Sequence, residues 1–258
     1  MTISIITVCY NSELTIARTI ESVLTQDYPH LEYIIIDGAS TDRTMETVRK
    51  YEVSFREKGI RYITQSEPDS GIYDAMNKGI QKSSGDVIGI INSDDRLAEP
   101  NVLSSVAECF ERHNCDTLYG NIIITNGESP YRYWRGGKPR TFRYGWMPPH
   151  PAFFVKKEIY TRYGIFRLDC GVNADYELML RLLEKAKVST HWLDKTLTIM
   201  STGGTSDSGL RTRIKSIDDN RKAWLVNNMR CPPLTVYLKK LRKLPQFITA
   251  KFIKITHK

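Results

Sequence analysis

Two adjacent carboxylates, Asp94 and Asp95, follow the largely apolar run of residues 86–91 and precede a polar turn and Pro100. A buried strand that delivers acids to an exposed edge is unfavourable unless a positive group, usually a divalent metal ion, lies beside them. The pair therefore predicts a phosphate bridged by a metal ion. The alternative is a solvated turn in which Asp95 caps the next helix.

Polar side chains also follow three earlier apolar runs. They are Thr7, Cys9, Tyr10 and Asn11 after the first run, residues 37–41 after the second, and Glu67 with Asp69 after the third. Because ligands on parallel sheets bind at the carboxyl ends of the strands, we expect four loops to converge on one crevice. There Asp37 could accept a hydrogen bond from a ribose or a base edge, or it could cap the following helix.

Two common nucleotide-binding motifs are missing from the sequence. The chain has neither a Gly-x-x-x-x-Gly-Lys-Ser/Thr phosphate loop nor a Gly-x-Gly-x-x-Gly dinucleotide turn. Their absence argues against a P-loop ATPase and against an NAD-dependent enzyme.

The elements that must position these residues are short β-branched runs that alternate with helical patterns. Predicted strands cover residues 3–8, 33–36, 60–64, 87–91, 117–124, 152–155 and 189–193, and predicted helices cover residues 12–24, 72–82, 101–112 and 175–185, with another opening near residue 41 or 42. This order is typical of a doubly wound α/β fold with helices on both faces of the sheet. Residues 127–151, rich in Gly, Pro and aromatic side chains, are expected to form long loops over a cleft.

Length and composition favour one folded body. A chain of 258 residues with 41% hydrophobic and 26% charged residues can bury one substantial core. No window approaches the roughly 20 apolar residues of a membrane span, and the N terminus lacks the features of a secretory signal, so we expect a cytoplasmic protein. The five scattered cysteines show no Cys-x-x-Cys spacing and are expected to be reduced packing residues.

The net charge of +8 is concentrated near the C terminus, because ten Lys or Arg and no acid follow Asp219. Residues 232–244 predict a helix whose bases lie largely on one face, with another face formed by Leu234, Tyr237, Leu238 and Leu241. Such a helix is expected to lie on an anionic membrane surface, although packing on its own domain or on a partner is the alternative. Nucleic acid is not expected as a partner, since no binding motif accompanies the charge.

Seven short motifs occur in order along residues 3–206. They are residues 4–11, 36–42, 66–79, 85–86 with 92–95, 150–153, 174–177 with Arg181, and 203–206. With these motifs the chain resembles the family 2 glycosyltransferases. The resemblance implies a GT-A fold over residues 1–220, with a nucleotide-sugar half (about 1–98), an acceptor half (about 99–220) and then a basic helical tail (221–258).

The resemblance also implies roles for individual residues in the nucleotide-sugar half. Thr7, Tyr10 and Asp37 would contact the nucleoside, Asp69 would lie near its base, and Lys78 would lie near that site or the diphosphate. We assign Asn11, from the same loop as Tyr10, to the same site.

Asn92, Asp94 and Asp95 stand at the metal and ribose motif of the family. Mg²⁺ or Mn²⁺ held by Asp94 or Asp95 would bridge the two phosphates of the donor and stabilise the leaving group. The family more often has Asp where Asn92 stands, so which residue supplies each ligand oxygen stays open.

Asp175 matches the family's catalytic base, which takes the proton from the attacking hydroxyl. The alternative is a carboxylate favoured by the helix dipole at a helix N terminus, and the two roles can coexist. One base on the face opposite the leaving group implies inversion at the anomeric carbon.

Further candidate residues lie in loops. His150, between two prolines, could line the acceptor or diphosphate pocket or be structural, and Gly204 could offer its N–H to an anion or form a plain turn. Arg211 and Arg213 could reach the phosphates, although a solvated basic face is the simpler reading. Three tryptophans could either stack on sugar rings or pack in the core or loops: Trp134, Trp146 and Trp192.

We therefore expect a peripherally membrane-attached, metal-dependent, inverting glycosyltransferase. It would be of the hexosyltransferase type, and its donor would be a nucleotide diphosphate sugar, with UDP first among the nucleotides. Its acceptor would be a hydroxyl of a lipid-linked oligosaccharide in cell-surface polysaccharide assembly, such as O-antigen of lipopolysaccharide, capsule or exopolysaccharide, because residues 67–79 are most similar to enzymes of that kind. The alternatives are a nucleotidyltransferase, whose Gly-rich first loop is missing here, and a non-catalytic nucleotide-sugar binding module.

Overall fold

The computed structural model describes residues 1–127, 129–202 and 218–251. The strands within these residues are β1 (Ile3–Cys9), β2 (Leu31–Asp37), β3 (Arg61–Ser66), β4 (Val87–Ile90), β5 (Arg96–Leu97), β6 (Thr117–Asn126), β7 (Ser129–Trp134), β8 (Phe153–Lys156) and β9 (Thr190–Ser201). The helices are α1 (Ile16–Leu24), α2 (Thr44–Lys50), α3 (Glu52–Glu57), α4 (Ile72–Lys82), α5 (Val102–His113), α6 (Lys157–Tyr163), α7 (Ala174–Met179), α8 (residues 218–225), α9 (Thr235–Leu241) and α10 (Leu244–Ala250). A π-helical segment, Leu180–Lys185, continues α7.

One mixed sheet runs through the molecule, in the order β3-β2-β1-β4-β8-β6-β9-β5, with β7 paired to β6. β1 pairs in parallel with β2 and β4, and β2 pairs in parallel with β3. β8 then lies antiparallel to both β4 and β6. The predicted α/β class is confirmed, and its parallel part is the N-terminal half of the sheet.

Helices cover both faces of this parallel half, because alternate residues of each strand point into opposite core layers. In β1, Ile6 and Val8 pack in a layer with α4 and α7, whereas Ile3 and Ile5 pack in a layer with α1 and α5. Helix α4 lies so close to β1 that a Cβ on Gly79 would be 2.4 Å from Cγ2 of Ile6. This close approach holds α4, and the loop that leads into it, against the sheet.

Several elements differ from the prediction, and three of them lie between residues 129 and 201. Residues 129–134 form β7, an antiparallel partner of β6, where loops were expected. β9 continues to Ser201 because it pairs with β6 across two register shifts, and a strand ending at residue 193 was expected. Helix α6 was not predicted, since it buries two side chains, Ile159 and Tyr160, and so shows little periodicity.

The C-terminal segment folds back onto the body. The predicted domain boundary at residue 220 lies inside α8, where Trp224 is fully buried and its indole N–H donates to the hydroxyl of Tyr176 at 2.9 Å. Further along, the hydroxyl of Thr235 donates to the carbonyl of Arg143 at 2.7 Å. The part of this segment around Trp224 therefore packs in the core of the body, and Thr235 ties the start of α9 to it.

The outer side of this segment is apolar. Five side chains spaced three or four residues apart are more than half exposed: Leu234 (66%), Tyr237 (56%), Leu241 (57%), Leu244 (60%) and Ile248 (64%). Leu238, which the sequence placed on the same face, is half-buried instead. Among the residues that the structure describes, no helix has the length and apolar character needed to cross a bilayer.

Candidate active site

The loops after β1, β2 and β3 meet at one edge of the sheet. The backbone N–H of Gly38 donates to the carbonyl of Cys9 at 2.9 Å, which joins the first two loops. The N–H of Glu67 donates to the carbonyl of Asp37 at 3.0 Å, which joins the second loop to the third. Three of the four strand-end loops predicted to converge are thus joined to one another.

Asn11 shapes the first of these loops. Its backbone adopts a left-handed conformation, with φ of 48°. Its N–H donates to the hydroxyl of Ser40 at 2.8 Å, and its side-chain oxygen accepts from the N–H of Thr41 at 2.9 Å. The side chain predicted to bind nucleotide therefore ties the first loop to the second.

Asp37 lies at the junction of three strand ends and is fully buried. Its carboxylate accepts the N–H of Ser40 at 2.9 Å, the hydroxyl of Ser66 at 2.6 Å and the hydroxyl of Ser40. The thiol of Cys9 lies 3.5 Å from the same carboxylate. Asp37 thus organises the loops of the crevice. It does not cap α2, which begins at Thr44 with no side-chain cap, and its buried carboxylate is not open to solvent.

Tyr10 and Asp69 face each other across Gly38 at the mouth of the crevice. A Cβ on Gly38 would lie 2.6 Å from Oδ2 of Asp69 and 3.5 Å from Cδ2 of Tyr10. Tyr10 is 63% exposed, and Oδ1 of Asp69 accepts the N–H of Gly71 at 2.8 Å. An aromatic face and a carboxylate edge side by side suit a nucleobase, which stacks on the first and hydrogen-bonds to the second.

Thr7 lies below this surface. Its side chain is fully buried, and its hydroxyl accepts the hydroxyl of Tyr33 at 3.0 Å. Thr7 was predicted to contact the nucleoside, but its side chain is not exposed. This position of β1 faces a layer of helices rather than the crevice.

Lys78 closes the loop that carries Asp69. Its ammonium group lies 2.8 Å from Oε1 of Glu67, 2.8 Å from the carbonyl of Pro68 and 3.8 Å from Oδ2 of Asp74. The hydrogen bond to Glu67 raises the pKa of Lys78. The predicted diphosphate ligand therefore pins the third loop in place.

The turn that carries Asp94 and Asp95 is held through its backbone. The hydroxyl of Thr19 in α1 lies 2.9 Å from the carbonyl of Ser93 and 2.6 Å from that of Asp95. The hydroxyl of Ser201, at the end of β9, donates to the carbonyl of Asp94 at 3.0 Å. Thr19 and Ser201 thus hold the backbone of this turn from two sides, at the end of β4. Asp95 does not cap a helix, since the next helix, α5, begins after Asn101.

Two oxygens in this turn are buried and have no hydrogen-bond partner among the described residues: Oδ1 of Asn92 and Oδ1 of Asp95. Asp95 is 1% exposed, and burial together with the charge of Asp94 raises its pKa well above the usual range. Burial also raises the pKa of Asp94. The charge of Arg18 offsets these shifts only in part. Buried oxygens without donors beside two acids are the ligand set that Mg²⁺ or Mn²⁺ fits.

Asp175 lies in the first turn of α7, on the other side of the crevice. Its Oδ1 accepts the hydroxyl of Tyr73 at 3.2 Å, and the same hydroxyl lies 3.0 Å from the carbonyl of Val172. Tyr73 belongs to α4, which begins directly after the loop of Asp69. One tyrosine therefore links the candidate base to the nucleotide half.

His150 is half-buried near the same carboxylate. Its ring packs edge-on against Phe166, with 5.7 Å between the centroids. Burial lowers its pKa, and the charge of Asp175 opposes that shift. His150 thus belongs to the surroundings of Asp175, as a neutral imidazole at neutral pH.

Lys239 is a site residue that the sequence did not identify. Its ammonium group lies 3.9 Å above the ring centroid of Tyr176, next to Asp175, and donates to Oδ1 of Asn220 at 3.0 Å. Burial lowers its pKa to about 7, and the charge of Asp175 opposes that shift. The sequence shows that the tail is basic, but no local pattern connected one of its lysines to Asp175.

Glu177 and Arg181, quoted in the α7 motif, serve the fold. The two side chains form a two-pronged ion pair at 2.9 and 3.0 Å, and Glu177 is fully buried. Asn227 donates to Glu177 at 2.9 Å, and Arg181 donates to the carbonyls of residues 163–165. This network holds α7, and with it Asp175, against the segments on both sides.

Two of the three tryptophans considered for sugar stacking are held by hydrogen bonds, and Arg132 lies over the ring of the third, Trp134, at 5.7 Å from its centroid. The indole N–H of Trp146 donates to the carbonyl of Gly136 at 3.1 Å, and that of Trp192 donates to Oδ1 of Asn121 at 3.0 Å. Trp146 is 5% exposed. Gly204, Arg211 and Arg213 lie outside the described residues.

A second group of metal ligands, Cys109, His113 and His191, comes within 4.8 Å in the described part of the chain. The two imidazole rings are stacked, with 3.6 Å between centroids and an angle of 14° between planes. Their nitrogen lone pairs therefore lie in nearly parallel planes and do not converge on one ion.

Comparison with known proteins agrees with this geometry. Residues 4–170 match the family model described as glycosyl transferase family 2. An uncharacterized glycosyltransferase of Mycobacterium tuberculosis is 34% identical over 192 residues, which cover 70% of this chain and 68% of that protein. A putative teichuronic acid biosynthesis glycosyltransferase of Bacillus subtilis is 30% identical over 128 residues, half of each chain.

Solved structures share the fold. Staphylococcus aureus TarS 1–349 in complex with UDP superposes with a TM-score of 0.64 and 18% identity, over 93% of this chain and 70% of that chain. A mannosyltransferase from Pyrobaculum calidifontis in complex with GDP-Man and Mn²⁺ superposes with a TM-score of 0.66 and 17% identity, over 96% of this chain and 73% of that chain. The chain spans 39% of the longer TarS structure. The predicted GT-A fold is confirmed by these neighbours.

Proposed function

The chain belongs to glycosyl transferase family 2, and from this premise we propose that it transfers a sugar from a nucleotide diphosphate donor to a hydroxyl of a lipid-linked oligosaccharide. The observation that carries the proposal is the pair of unpartnered buried oxygens of Asn92 and Asp95, set at the end of β4 beside the crevice of strand-end loops.

The donor is a UDP-sugar in this proposal. Tyr10 and Asp69, which meet across Gly38, would receive the base, while Asp37, Asn11 and Lys78 keep the loops around it in place. The UDP complex of TarS, which shares the fold, supports the choice of nucleotide.

Mg²⁺ or Mn²⁺ is the proposed cofactor, held by Asp94 and Asp95 with the amide oxygen of Asn92 nearby. When bound, such a cation neutralises the negative charge that builds on the departing nucleotide diphosphate. The buried position of Asp95 supports this role, because an isolated carboxylate there is unfavourable and a divalent cation compensates it. The structural neighbour that binds GDP-Man and Mn²⁺ points the same way.

Asp175 is the proposed base. The hydrogen bond from Tyr73 orients its carboxylate, and the ammonium of Lys239 lies on the ring of Tyr176, the next residue in the chain. A single base that removes the proton of the attacking hydroxyl, opposite the leaving group, leads to inversion at the anomeric carbon.

The acceptor and the location complete the proposal. We place the enzyme at the cytoplasmic face of the cell membrane, in the assembly of a cell-surface polysaccharide such as O-antigen of lipopolysaccharide, capsule or exopolysaccharide. The exposed apolar stripe that runs from Leu234 to Ile248 would lie on the bilayer, with the surrounding bases near anionic headgroups. The teichuronic acid relative supports a polysaccharide pathway.

The test measures free nucleotide diphosphate after incubation with Mn²⁺ and a panel of UDP-, GDP- and dTDP-sugars. Asp95→Ala is expected to lower release by about 10²- to 10³-fold, since it removes charge stabilisation at the leaving group. Asp175→Asn should keep donor binding and lower transfer to added acceptor by about 10²- to 10⁴-fold. Asp27→Asn, at an exposed aspartate, is the matched control and should behave as wild type.

Each other outcome has a defined meaning. Release that persists in Asp95→Ala would remove the metal from the proposal. Release of pyrophosphate from a nucleoside triphosphate, with no need for Asp175, would identify a nucleotidyltransferase. Donor binding without release under all conditions would identify a binding module.

A further inference from the structure

A cavity of about 690 Å³ lies between the C-terminal helices and the stretch that leads from β7 to Met147. One wall is aromatic and comes from Tyr133, Trp134 and Trp146. The opposite wall comes from α9, α10 and the residues between them. The C-terminal helices therefore form one side of the cavity.

The walls of this cavity carry an excess of positive charge. Its basic lining residues are Arg135, Lys239, Arg242 and Lys243, and its acidic one is Asp194. Asp194 is bound by the guanidinium of Arg135 and accepts the amide of Asn121 at 3.0 Å, so its charge is already compensated. The bases of the tail thus set the field inside the cavity, which favours an anionic ligand.

The basic wall is held in a defined position. Gly145, with φ of 71°, lies against the tail so closely that a Cβ there would be 2.3 Å from the backbone nitrogen of Lys239. Nε of Arg242 donates to the carbonyl of Tyr144 at 2.9 Å. Phe247 of α10 packs edge-on against Tyr131 of β7, with 5.2 Å between centroids. These contacts fix Lys239 and Arg242 at the cavity.

The cavity also adjoins the candidate base. Lys239 lines it, and the same ammonium group lies on the ring of Tyr176, the residue after Asp175. The charge of Asp175 also acts on this ammonium group, so Lys239 connects the cavity with the surroundings of the candidate base. Oε1 of Gln246, another lining residue, is buried and has no hydrogen-bond partner among the described residues, so it can accept a hydroxyl.

We propose that this cavity binds the acceptor, and that Lys239, Arg242 and Lys243 recognise a phosphate ester on it while the aromatic wall holds its apolar or sugar portion. The proposal rests on the glycosyltransferase function proposed above. Ammonium and guanidinium groups form charge-assisted hydrogen bonds to phosphate, and aromatic faces suit both lipid chains and sugar rings. The tail then selects the acceptor, in addition to any contact that it makes with the membrane.

Farnesyl diphosphate is the probe, because it joins a phosphate ester to an apolar chain without requiring a known sugar. It is titrated in EDTA, which removes any cation that could hold a diphosphate at Asp94 and Asp95, and binding is followed by tryptophan fluorescence, since Trp134 and Trp146 line the cavity. Wild type is expected to bind it saturably, and farnesol at least about tenfold more weakly.

Two variants test the basic wall. Arg242→Gln, at an exposed position, and Lys239→Gln are each expected to weaken farnesyl diphosphate binding by about tenfold. Lys240→Gln, an exposed neighbour on the same helix that does not line the cavity, is the matched control and should bind as wild type. Thermal unfolding of each variant identifies loss of fold, and Arg242→Gln decides the matter if Lys239→Gln does not fold. Equal binding of farnesol, or unchanged binding in Arg242→Gln, would overturn the proposal.

Vesicles that contain phosphatidylglycerol distinguish a phosphate on the acceptor from a phosphate of the bilayer. Arg242→Gln should sediment with these vesicles as wild type does, whereas loss of vesicle binding with intact farnesyl diphosphate binding would assign Arg242 to the membrane and overturn the cavity proposal. UDP binding in Mn²⁺ is measured on the same proteins. Wild type that binds farnesyl diphosphate but not UDP would refute the proposed function and leave the cavity result intact.

Discussion

The N-terminal half and the C-terminal half of this molecule build their candidate sites in different ways. In the N-terminal half, each loop follows its own strand and is tied to its neighbour by a short polar contact, such as Ser66 to Asp37. In the C-terminal half, the cavity is lined by groups far apart in sequence, such as Trp146 and Lys239. A site made of strand-end loops can be located from local pattern, whereas a site closed by the end of the chain depends on tertiary packing.

The largest change in stability is expected in the C-terminal half, at the buried ion pair between Glu177 and Arg181. Glu177→Ala leaves Arg181, whose side chain is 14% exposed, without its carboxylate, and it leaves Asn227 without an acceptor. The free energy of unfolding should fall by about 3–5 kcal/mol, because an uncompensated charge remains inside. Urea unfolding measures the change.

The matched control is Glu46→Ala, which removes an ion pair with Lys50 at the same helical spacing but on the surface. Its expected cost is below about 0.5 kcal/mol. Equal losses in the two variants would show that the network on Glu177 contributes no more than a surface pair.

In the N-terminal half, the buried carboxylate to compare with Glu177 is that of Asp37. Asp37→Ala leaves the N–H of Ser40 and the hydroxyls of Ser40 and Ser66 without their common acceptor. A loss of about 2–3 kcal/mol is expected, together with weaker UDP binding, since the loops of the crevice are no longer joined. Asp69→Ala should weaken UDP binding with little change in stability. If Asp37→Ala changes UDP affinity and not stability, the carboxylate contacts ligand directly and our account of the loop is wrong.

A smaller effect of opposite sign is expected at Asp95. Asp95→Asn should stabilise the metal-free protein by about 1–2 kcal/mol, because it removes a buried charge beside Asp94. In EDTA its Tm should rise by about 3 °C or more. Saturating Mn²⁺ should raise the Tm of wild type and leave that of the variant unchanged. A variant less stable than wild type in EDTA would mean that the carboxylate is satisfied without a cation.

A further prediction concerns the pH dependence of stability at Lys239. Its pKa of about 7 lies below the ordinary lysine value of 10.5, so the unfolded chain binds this proton more tightly, and stability contributed here rises with pH from about 7 upward. Asp175 favours the charged form, Lys243 opposes it, and Tyr176 and Asn220 contact it. Lys239→Met cannot take up the proton, so its stability relative to wild type should be greatest at pH 6 and decline toward pH 9.

Urea unfolding at pH 6, 7.5 and 9 measures this difference, with Lys240→Met as the exposed control that should show no trend. A difference that is constant over the range would place the ammonium of Lys239 in solvent rather than on Tyr176.

Strand ends and helix starts were readable because burial on both faces imposes continuous apolar runs on β1, β2 and β4. The bounds of α4, Ile72–Lys82, were predicted to the residue. β7 was missed because an edge strand beside a turn, with Pro130 and Arg132 in it, shows little of that pattern. The end of β9 was missed because pairing with β6, rather than its own composition, determines its length.

The sequence by itself determined the α/β class, the order of the motifs, and the residues that gather at the strand ends, because hydrophobic period and strand direction are local properties. Tertiary structure decided what those residues do there. It buried Thr7 and Asp37, left an oxygen of Asp95 without a partner among the described residues, and brought Lys239 from the tail onto the ring of Tyr176. Burial, hydrogen-bond satisfaction and charge proximity depend on contacts between segments distant in the chain, and no local pattern records those contacts.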